Sequence, residues 1–376
     1  MTIRLTAKAQ KAAAFCTYCP KMCRFACPVA EAEARETVTP WGLMGLLFAV
    51  REEGVTLSSE VGEAFYHCTS CMRCQTYCRH DNDVPSALLE ARQALVDRGL
   101  PTPEPLQGLD LHMEEHGSPF GPVPELEAKE EVFEADAEVV FVPACTRRAH
   151  MSESVLTAGR VLAQLLSEPV ALLEAVGGKP THCCGGALRE AGYASQAEDW
   201  QDRVMDAVQG YRLVVTDCAT LLGSLRDRPG APQAEHLAEA MARGLEQRAE
   251  PLAPVEATEV FWHDACTVGR RLGVYDAPRR LMAAAHEEPT SELWQCREKA
   301  RCCGGGGHYP RVDPEGAAQA AEVFMDDLRQ HGAQTVVTVE SQCIHHLQSQ
   351  GPWEVDVVDL VERVAQALGA SGSDAL

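Results

Sequence analysis

Sixteen of the seventeen cysteines fall into four groups of four, and the groups come in two matched pairs. The first pair is Cys16, Cys19, Cys23, Cys27 and Cys68, Cys71, Cys74, Cys78. The second is Cys145, Cys183, Cys184, Cys218 and Cys266, Cys302, Cys303, Cys343, which leaves only Cys296 outside. Four thiolates are what an iron–sulfur cluster needs, so any fold of this chain must gather each group. That requirement points to an electron-carrying protein. A disulfide-stapled secreted fold would use cysteine as densely. Against it stand the length of the chain, the lack of a signal peptide, and the vicinal pair Cys183-Cys184, whose members are poor partners for each other.

At 376 residues the chain suggests two to four domains, and 45% apolar residues supply real cores. The longest apolar run, Trp41 to Val50, is ten residues with two glycines, so it reads as a buried helix segment and not as a transmembrane span. A net charge of −22 excludes a general nucleic-acid binder. Against that acidity the first thirty residues carry Arg4, Lys8, Lys11, Lys21 and Arg24 and no acid. This is the composition of a transit peptide, but removal would destroy the group that begins at Cys16. The segment is therefore read as mature protein and the compartment as cytoplasmic. The basic end could offset cluster charge, dock an acidic partner or be a solvated arm.

Residues 1–100 hold the first two groups, and Val84 to Val96 has helical spacing through Ala87, Leu88, Ala91 and Leu95. Pro101, Pro103 and Pro105 end regular structure, and residues 101–137 read as an acidic linker or extended strap. The rest is an internal repeat. Cys145 to Cys266 is 121 positions, Cys183 to Cys302 is 119 and Cys218 to Cys343 is 125. The flanks match as well. Val139 to Val142 precedes Cys145 as Val260 to Trp262 precedes Cys266, and Leu213 to Thr216 precedes Cys218 as Val336 to Val339 precedes Cys343. The expected modules are 138–250 and 258–370, too long a period for a solenoid. Short β-branched runs alternate with helical patterns (Val155, Leu156, Gly159, Leu162, Leu165, Leu166; Ala197, Trp200, Val204, Met205, Val208), which argues for α/β units with a parallel sheet. The cysteines then sit just past strand ends, where open α/β sheets place ligands.

The first group runs C-x2-C-x3-C-x3-C-P and the second C-x2-C-x2-C-x3-C. In two-cluster ferredoxins the fourth cysteine of each run ligates the other cluster. The expected sets are therefore Cys16, Cys19, Cys23, Cys78 for one [4Fe–4S] cluster and Cys68, Cys71, Cys74, Cys27 for the other. Zinc sites favour two C-x2-C pairs far apart over four cysteines in a tight run. The intervening residues resemble the α-helical ferredoxin domain of iron–sulfur subunits of flavin dehydrogenases.

The segments FVPACT, HCCGGALREAG and VVTDCATL resemble one cysteine-rich CCG module, and WHDACTVGRRLGVYDAPRRL, RCCGGGGH and VTVESQCIHHL a second. The chain thus resembles the CCG family, which includes heterodisulfide reductase catalytic subunits and iron–sulfur subunits of glycolate, lactate and anaerobic glycerol-3-phosphate dehydrogenases. The resemblance implies an α+β multidomain fold: an α-helical two-cluster ferredoxin domain, then two Rossmann-like CCG modules. It implies one or two further iron–sulfur clusters, cubane or non-cubane, on Cys145, Cys183, Cys184, Cys218 and Cys266, Cys302, Cys303, Cys343. The fullest family motif ends in C-x2-C. Here Leu221 and His346 stand where the last cysteine would fall, which leaves room for a cubane cluster or a zinc ion. His346 is a candidate extra ligand. His263 and Asp264 could orient groups near a cluster or only make strand-end hydrogen bonds. His182 and His308 are similarly open, Arg270, Arg271 and Tyr275 could serve packing or anion contact, and Cys296 reads as a buried core thiol.

Three functions compete. In the first, electrons from a flavoprotein dehydrogenase (hydroxy acid or glycerol-3-phosphate type) pass through the clusters to a quinone or other carrier, with a membrane quinone-reactive subunit as a further partner and a location peripheral to the inner membrane. No strand–G-x-G-x-x-G–helix context surrounds Gly304 to Gly307, so the flavin belongs on another chain. In the second, the protein is a heterodisulfide-reductase-like thiol/disulfide oxidoreductase. In the third, the modules are zinc-filled or empty scaffolds.

Overall fold

The computed structural model describes residues 3–369 except 22 and 177. The amino-terminal region is helical. Its longer helices start on side-chain caps next to the cysteine runs. Thr6 accepts from Ala9 N before helix Ala7–Thr17, Thr39 from Gly42 N before Pro40–Arg51, and Asp83 from Ser86 N before Val84–Val96. Pro40 and Pro85 fall in first turns, where no backbone donor is lost. The apolar run from Trp41 becomes a helix that buries Leu43, Met44, Leu47 and Val50, and Val84–Val96 buries Ala87, Leu88, Ala91 and Leu95. These faces meet helix Ala7–Thr17 in one core.

The acidic segment is not uniformly extended. It folds into helix Leu109–His116, flanked by single turns at Glu104–Leu106 and Lys129–Glu131. Leu106, Leu109 and Met113 sit in the core of the amino-terminal helical domain, while Leu126 sits in the core of the modules. Apolar residues spaced among the acids pin the strap down at both ends.

Ten strands follow among the described residues: β1 Val139–Val142, β2 Val170–Leu172, β3 Ala175–Val176, β4 Lys179–Pro180, β5 Leu213–Thr216, β6 Gln233–His236, β7 Val260–Trp262, β8 Ser291–Glu292, β9 Thr335–Thr338 and β10 Asp356–Asp359. Two four-stranded parallel sheets form, ordered β2-β1-β5-β6 and β8-β7-β9-β10, with β3 and β4 as a small antiparallel pair. The two sheets share one strand order, so the sequence repeat is a structural repeat. β1, β5, β7 and β9 are central in their sheets and consist almost wholly of buried apolar residues, as strands covered on both faces must.

Helices Ser152–Leu166 and Leu237–Gln247 of the first module pack on Asp276–Ala285 and Leu360–Ala367 of the second, and the apolar core runs unbroken from one sheet to the other. Val155, Leu156, Val161, Leu162 and Leu165 are buried there; each such side chain contributes about 1.5–3 kcal/mol. The outer face of the first sheet is covered by Ala194–Val208 and Ala219–Asp227.

Candidate metal centres

In the helical domain the two cysteine runs interleave. Cys19, Cys23 and Cys78 lie close enough to Cys16 to raise its pKa, which burial drives up to about 11. Cys68 and Cys71 act likewise on Cys27, and Cys71, Cys68 and Cys27 on Cys74. Thus the fourth cysteine of each run lies near cysteines of the other run, and Cys23 also lies near Cys74. Burial is the leading cause for Cys16, Cys23, Cys27 and Cys74. Metal-free, these groups would be neutral thiols crowded together.

Each module builds its set from the ends of adjacent central strands. Cys145 opens helix Cys145–His150 just past β1, and Cys218 follows β5 and caps helix Ala219–Asp227. The strand order reverses between β1 and β5, so their carboxyl ends open a crevice. Cys183 and Cys184 enter it from a loop turned by Gly185 at φ +85°, where a Cβ would come within 2.8 Å of Ala197 O. Cys145 lies beside Cys183, and Cys184 lies 3.7 Å from Cys218. The second module repeats this. Cys266 follows β7, Gly304 turns the Cys302-Cys303 loop at φ +94°, and Cys303 meets Cys343 at 3.2 Å.

The two modules face different surroundings. Cys145, Cys183, Cys184 and Cys218 line a cavity of about 340 Å³ between the modules, which Glu340 and His345 also border. Thr267 donates to the Glu340 carboxyl at 2.6 Å, and burial raises the Glu340 pKa to about 7. His345 stacks on His150 at 4.0 Å between centroids. In the second module Cys266 and Cys302 pack directly on Cys71 of the helical domain. Gly306 and Gly307 lie on the carbonyls of Thr69 and Cys68, where a Cβ would come within 2.4 and 2.2 Å.

Four arginines test whether an anionic cluster fits. Arg73 bonds Ala26 O, Lys299 O and Gln295 Oε1. Arg92 bonds the carbonyls of Phe65, Glu190, Gly307 and Cys68. Arg270 donates to Cys71 O at 2.6 Å and to Glu298 O and Ala300 O, and Arg311 to Pro119 O. Arg73 and Arg92 are fully buried. Among the described residues none of the four meets a carboxylate, yet buried charge needs an opposite charge. Burial works against the charge on Arg270, while Cys71, Cys266 and Cys302 favour it. Four buried thiolates closed on iron and sulfide carry net negative charge. The residues present therefore fit such a group.

Other polar residues brace the frame. Arg147 bonds Asp217 Oδ2 at 2.6 Å and reaches Asp359 and Ser154, while Ala144 N donates to Asp217 Oδ1 at 2.7 Å. The loops carrying Cys145 and Cys218 are thereby tied to each other and to β10. Asp264 accepts from Trp262 Nε1, both Arg279 nitrogens and Arg297 N, so it is a brace. The buried His263 ring packs on Phe324, and its pKa falls to about 4 by burial. His308 Nε2 bonds Ala187 O at 2.7 Å, joining the modules. His182 borders a small secondary pocket behind the first set. Tyr275 packs against Gly269, and Arg271 lies near Glu190. His346 packs beneath Gly304 and Gly305, turned toward their backbone. Cys296 is not a core thiol: it is half-exposed in the turn before Arg297–Lys299, with Glu292 as neighbour. Sequence reading missed Arg73, Arg92, Arg147 and Arg311, because an isolated arginine reads as solvated.

A cysteine-rich domain model, CCG, matches residues 139–226 and again 260–348, and a 4Fe-4S dicluster domain matches residues 12–82. A probable membrane-anchored ferredoxin of Chromohalobacter salexigens is 31% identical over 209 residues, covering 52% of this chain and 31% of that protein. A subunit of the fumarate reductase (CoM/CoB) of Methanothermobacter marburgensis is 24% identical over 92% of this chain and 70% of its own length. A subunit of the dihydromethanophenazine:CoB--CoM heterodisulfide reductase of Methanosarcina barkeri is 24% identical over 89% and 85%. The chain thus spans about a third of the ferredoxin and most of the two reductase subunits.

Proposed function

The chain belongs to the iron–sulfur proteins that carry cysteine-rich CCG domains behind a 4Fe-4S dicluster domain, and from that premise we propose that it is the electron-transfer subunit of an oxidoreductase. It relays electrons between a flavoprotein dehydrogenase, of the hydroxy-acid or glycerol-3-phosphate type, and a quinone or other carrier. We assign Cys16, Cys19, Cys23 and Cys78 to one [4Fe–4S] cluster, and Cys68, Cys71, Cys74 and Cys27 to a second. The module sets hold one or two more clusters, with zinc as the alternative at one. When bound, such clusters supply one-electron carriers. The chain's own part is to space them, exclude water and place charge.

The observation that carries this reading is the buried contact of Cys71 with Cys266 and Cys302. It leaves no solvent gap between the ferredoxin domain and the second module. Arg270 spans the same contact, with its charge beside all three thiols. Among the described residues no helix is long and apolar enough to cross a membrane. We place the protein in the cytoplasm or at the inner-membrane surface beside its partners.

The cavity on the first module's cysteines favours a second reading, a thiol/disulfide oxidoreductase, because a small substrate has room there. Oxygen-free protein is expected to hold about eight irons in the ferredoxin domain alone, with further iron in the modules by Mössbauer and EPR spectra. Cys303→Ser should cut electron transfer from a reduced donor at least tenfold with the circular dichroism unchanged, and Cys296→Ser should leave both intact. Colourless, iron-free material overturns the relay. A radical signal on adding a thiol selects the second reading.

A further inference from the structure

Five large apolar side chains are well exposed among the described residues, and three of them, Phe15, Tyr18 and Phe25, fall within eleven positions at 43%, 82% and 58% exposure. All three flank Cys16, Cys19 and Cys23. The rings are not loose. Phe15 stacks on His80 at 5.1 Å, Phe25 meets Tyr77 edge-on at 4.8 Å, and Tyr18 meets Phe48 at 6.3 Å. Tyr77 and His80 bracket Cys78, so the aromatic relief surrounds one cysteine set, of which Cys19, Cys23 and Cys78 are partly exposed.

The same face is basic in an acidic molecule. Residues 3–30 carry Arg4, Lys8, Lys11, Lys21 and Arg24 with one acid, Glu31, just beyond, while the whole chain is at −22. Lys11 lies over the Phe15 ring at 5.6 Å and Arg79 is exposed beside His80. Lys21 and Arg24 share the single carboxylate of Glu36, and Lys8 pairs with Asp83. Asp81 and Glu90 also lie at this end, bonded to Gln75 and Thr6, so the surplus of cations is small and rests on Arg4, Lys11 and Arg79. Rigid aromatics ringed by cations are the composition of a protein interface with electrostatic steering.

We propose that this face, around Cys16, Cys19, Cys23 and Cys78, is the docking site for a redox partner protein with an acidic surface. The proposal rests on the relay reading and fixes where that relay meets its partner: at the cysteine set farthest along the chain of contacts from the modules. The ring pairs hold the patch in a fixed relief that suits a shaped protein surface better than a fluid bilayer.

The test uses full-length, cluster-loaded protein and stopped-flow electron exchange with two probes: a reduced acidic plant-type [2Fe–2S] ferredoxin as donor to the oxidised clusters, and oxidised cytochrome c, a basic protein, as acceptor from the pre-reduced clusters. The rate with the acidic probe should fall at least tenfold between about 20 and 300 mM salt. Lys11→Glu/Arg79→Glu should lower it at least tenfold at low salt without touching iron content or the cytochrome rate. Tyr18→Ala/Phe25→Ala should lower it at all salt concentrations. Rates that ignore salt and both variants overturn the docking face but leave the relay standing, whereas iron-loaded protein that exchanges electrons with neither probe overturns the relay. Sedimentation of wild-type protein with phosphatidylglycerol vesicles, abolished by Tyr18→Ala/Phe25→Ala, assigns the face to a membrane and also overturns the proposal.

Discussion

Arg147→Met tests how the two modules are locked together. The guanidinium is fully buried. It contacts Asp217 in its own module and Asp359 in the other, both buried. Burial opposes its charge, but Asp359 and Asp217 hold it protonated, above the ordinary arginine range. Removing the guanidinium strands two carboxylates in a shared core. Removing one partner of a buried pair costs about 3–5 kcal/mol. The loss is not doubled here, because Asp217 keeps Ala144 N, and Asp359 keeps Ser154 Oγ and Val361 N. At about 2–4 °C per kcal/mol for a core of this size, melting should fall by roughly 6–20 °C. Circular-dichroism melts of anaerobic, iron-loaded protein read this. Arg147→Met/Asp217→Asn/Asp359→Asn, with no charge left to strand, should recover most of the loss. A shift under about 2 °C, or a triple variant no better than the single one, would refute the reasoning.

Two further outcomes follow from the geometry. Gly307→Ala places a Cβ 2.2 Å from Cys68 O at φ +68°, so the second module must lift from the ferredoxin domain; hydrogen exchange around residues 65–75 should rise at least tenfold, while Gly332→Ala, at φ +83° with open space around it, should cost no more than about 1 kcal/mol. Glu340→Gln addresses pH. Burial raises the Glu340 carboxyl to about 7, so its folded form is unpenalised below about 4.5 and loses stability as pH rises through 7. The variant should therefore match wild type near pH 5 and melt higher at about pH 8; a constant offset across that range counts against the assignment.

Much of the fold could be read from the chain because its signals are local and periodic. Val139 to Val142 and Leu213 to Thr216 read as strands since a sheet covered on both faces needs unbroken apolar runs, and β1 and β5 are such strands. Val84 to Val96 read as a helix since its apolar residues recur on one face. The braces were illegible for the opposite reason. Arg73 sits between Cys71 and Cys74, and Arg147 two places after Cys145, with no pattern to separate a buried cation from a solvated one. Their partners are carbonyls and carboxylates that only the fold brings near.

The difference between the modules lies between these cases. By cysteine spacing they are copies, yet one set borders a cavity and the other packs on Cys71. The sequence marks this distinction at one place. Cys184 is followed by two glycines and then Ala187, while Cys303 is followed by Gly304 to Gly307. Gly185 and Gly304 serve the shared turn. The extra pair, Gly306 and Gly307, has no counterpart in the first module because its task is not to hold a cluster but to let two backbones meet over Cys68 and Thr69. In a duplicated protein, the residues that break the repeat are those that give each copy its own neighbour. Here they seat the second module's cysteine loop on Cys68 and Thr69, while the first module meets the same helical domain through Leu188, Ala191 and Gly192, away from its own cysteine loop.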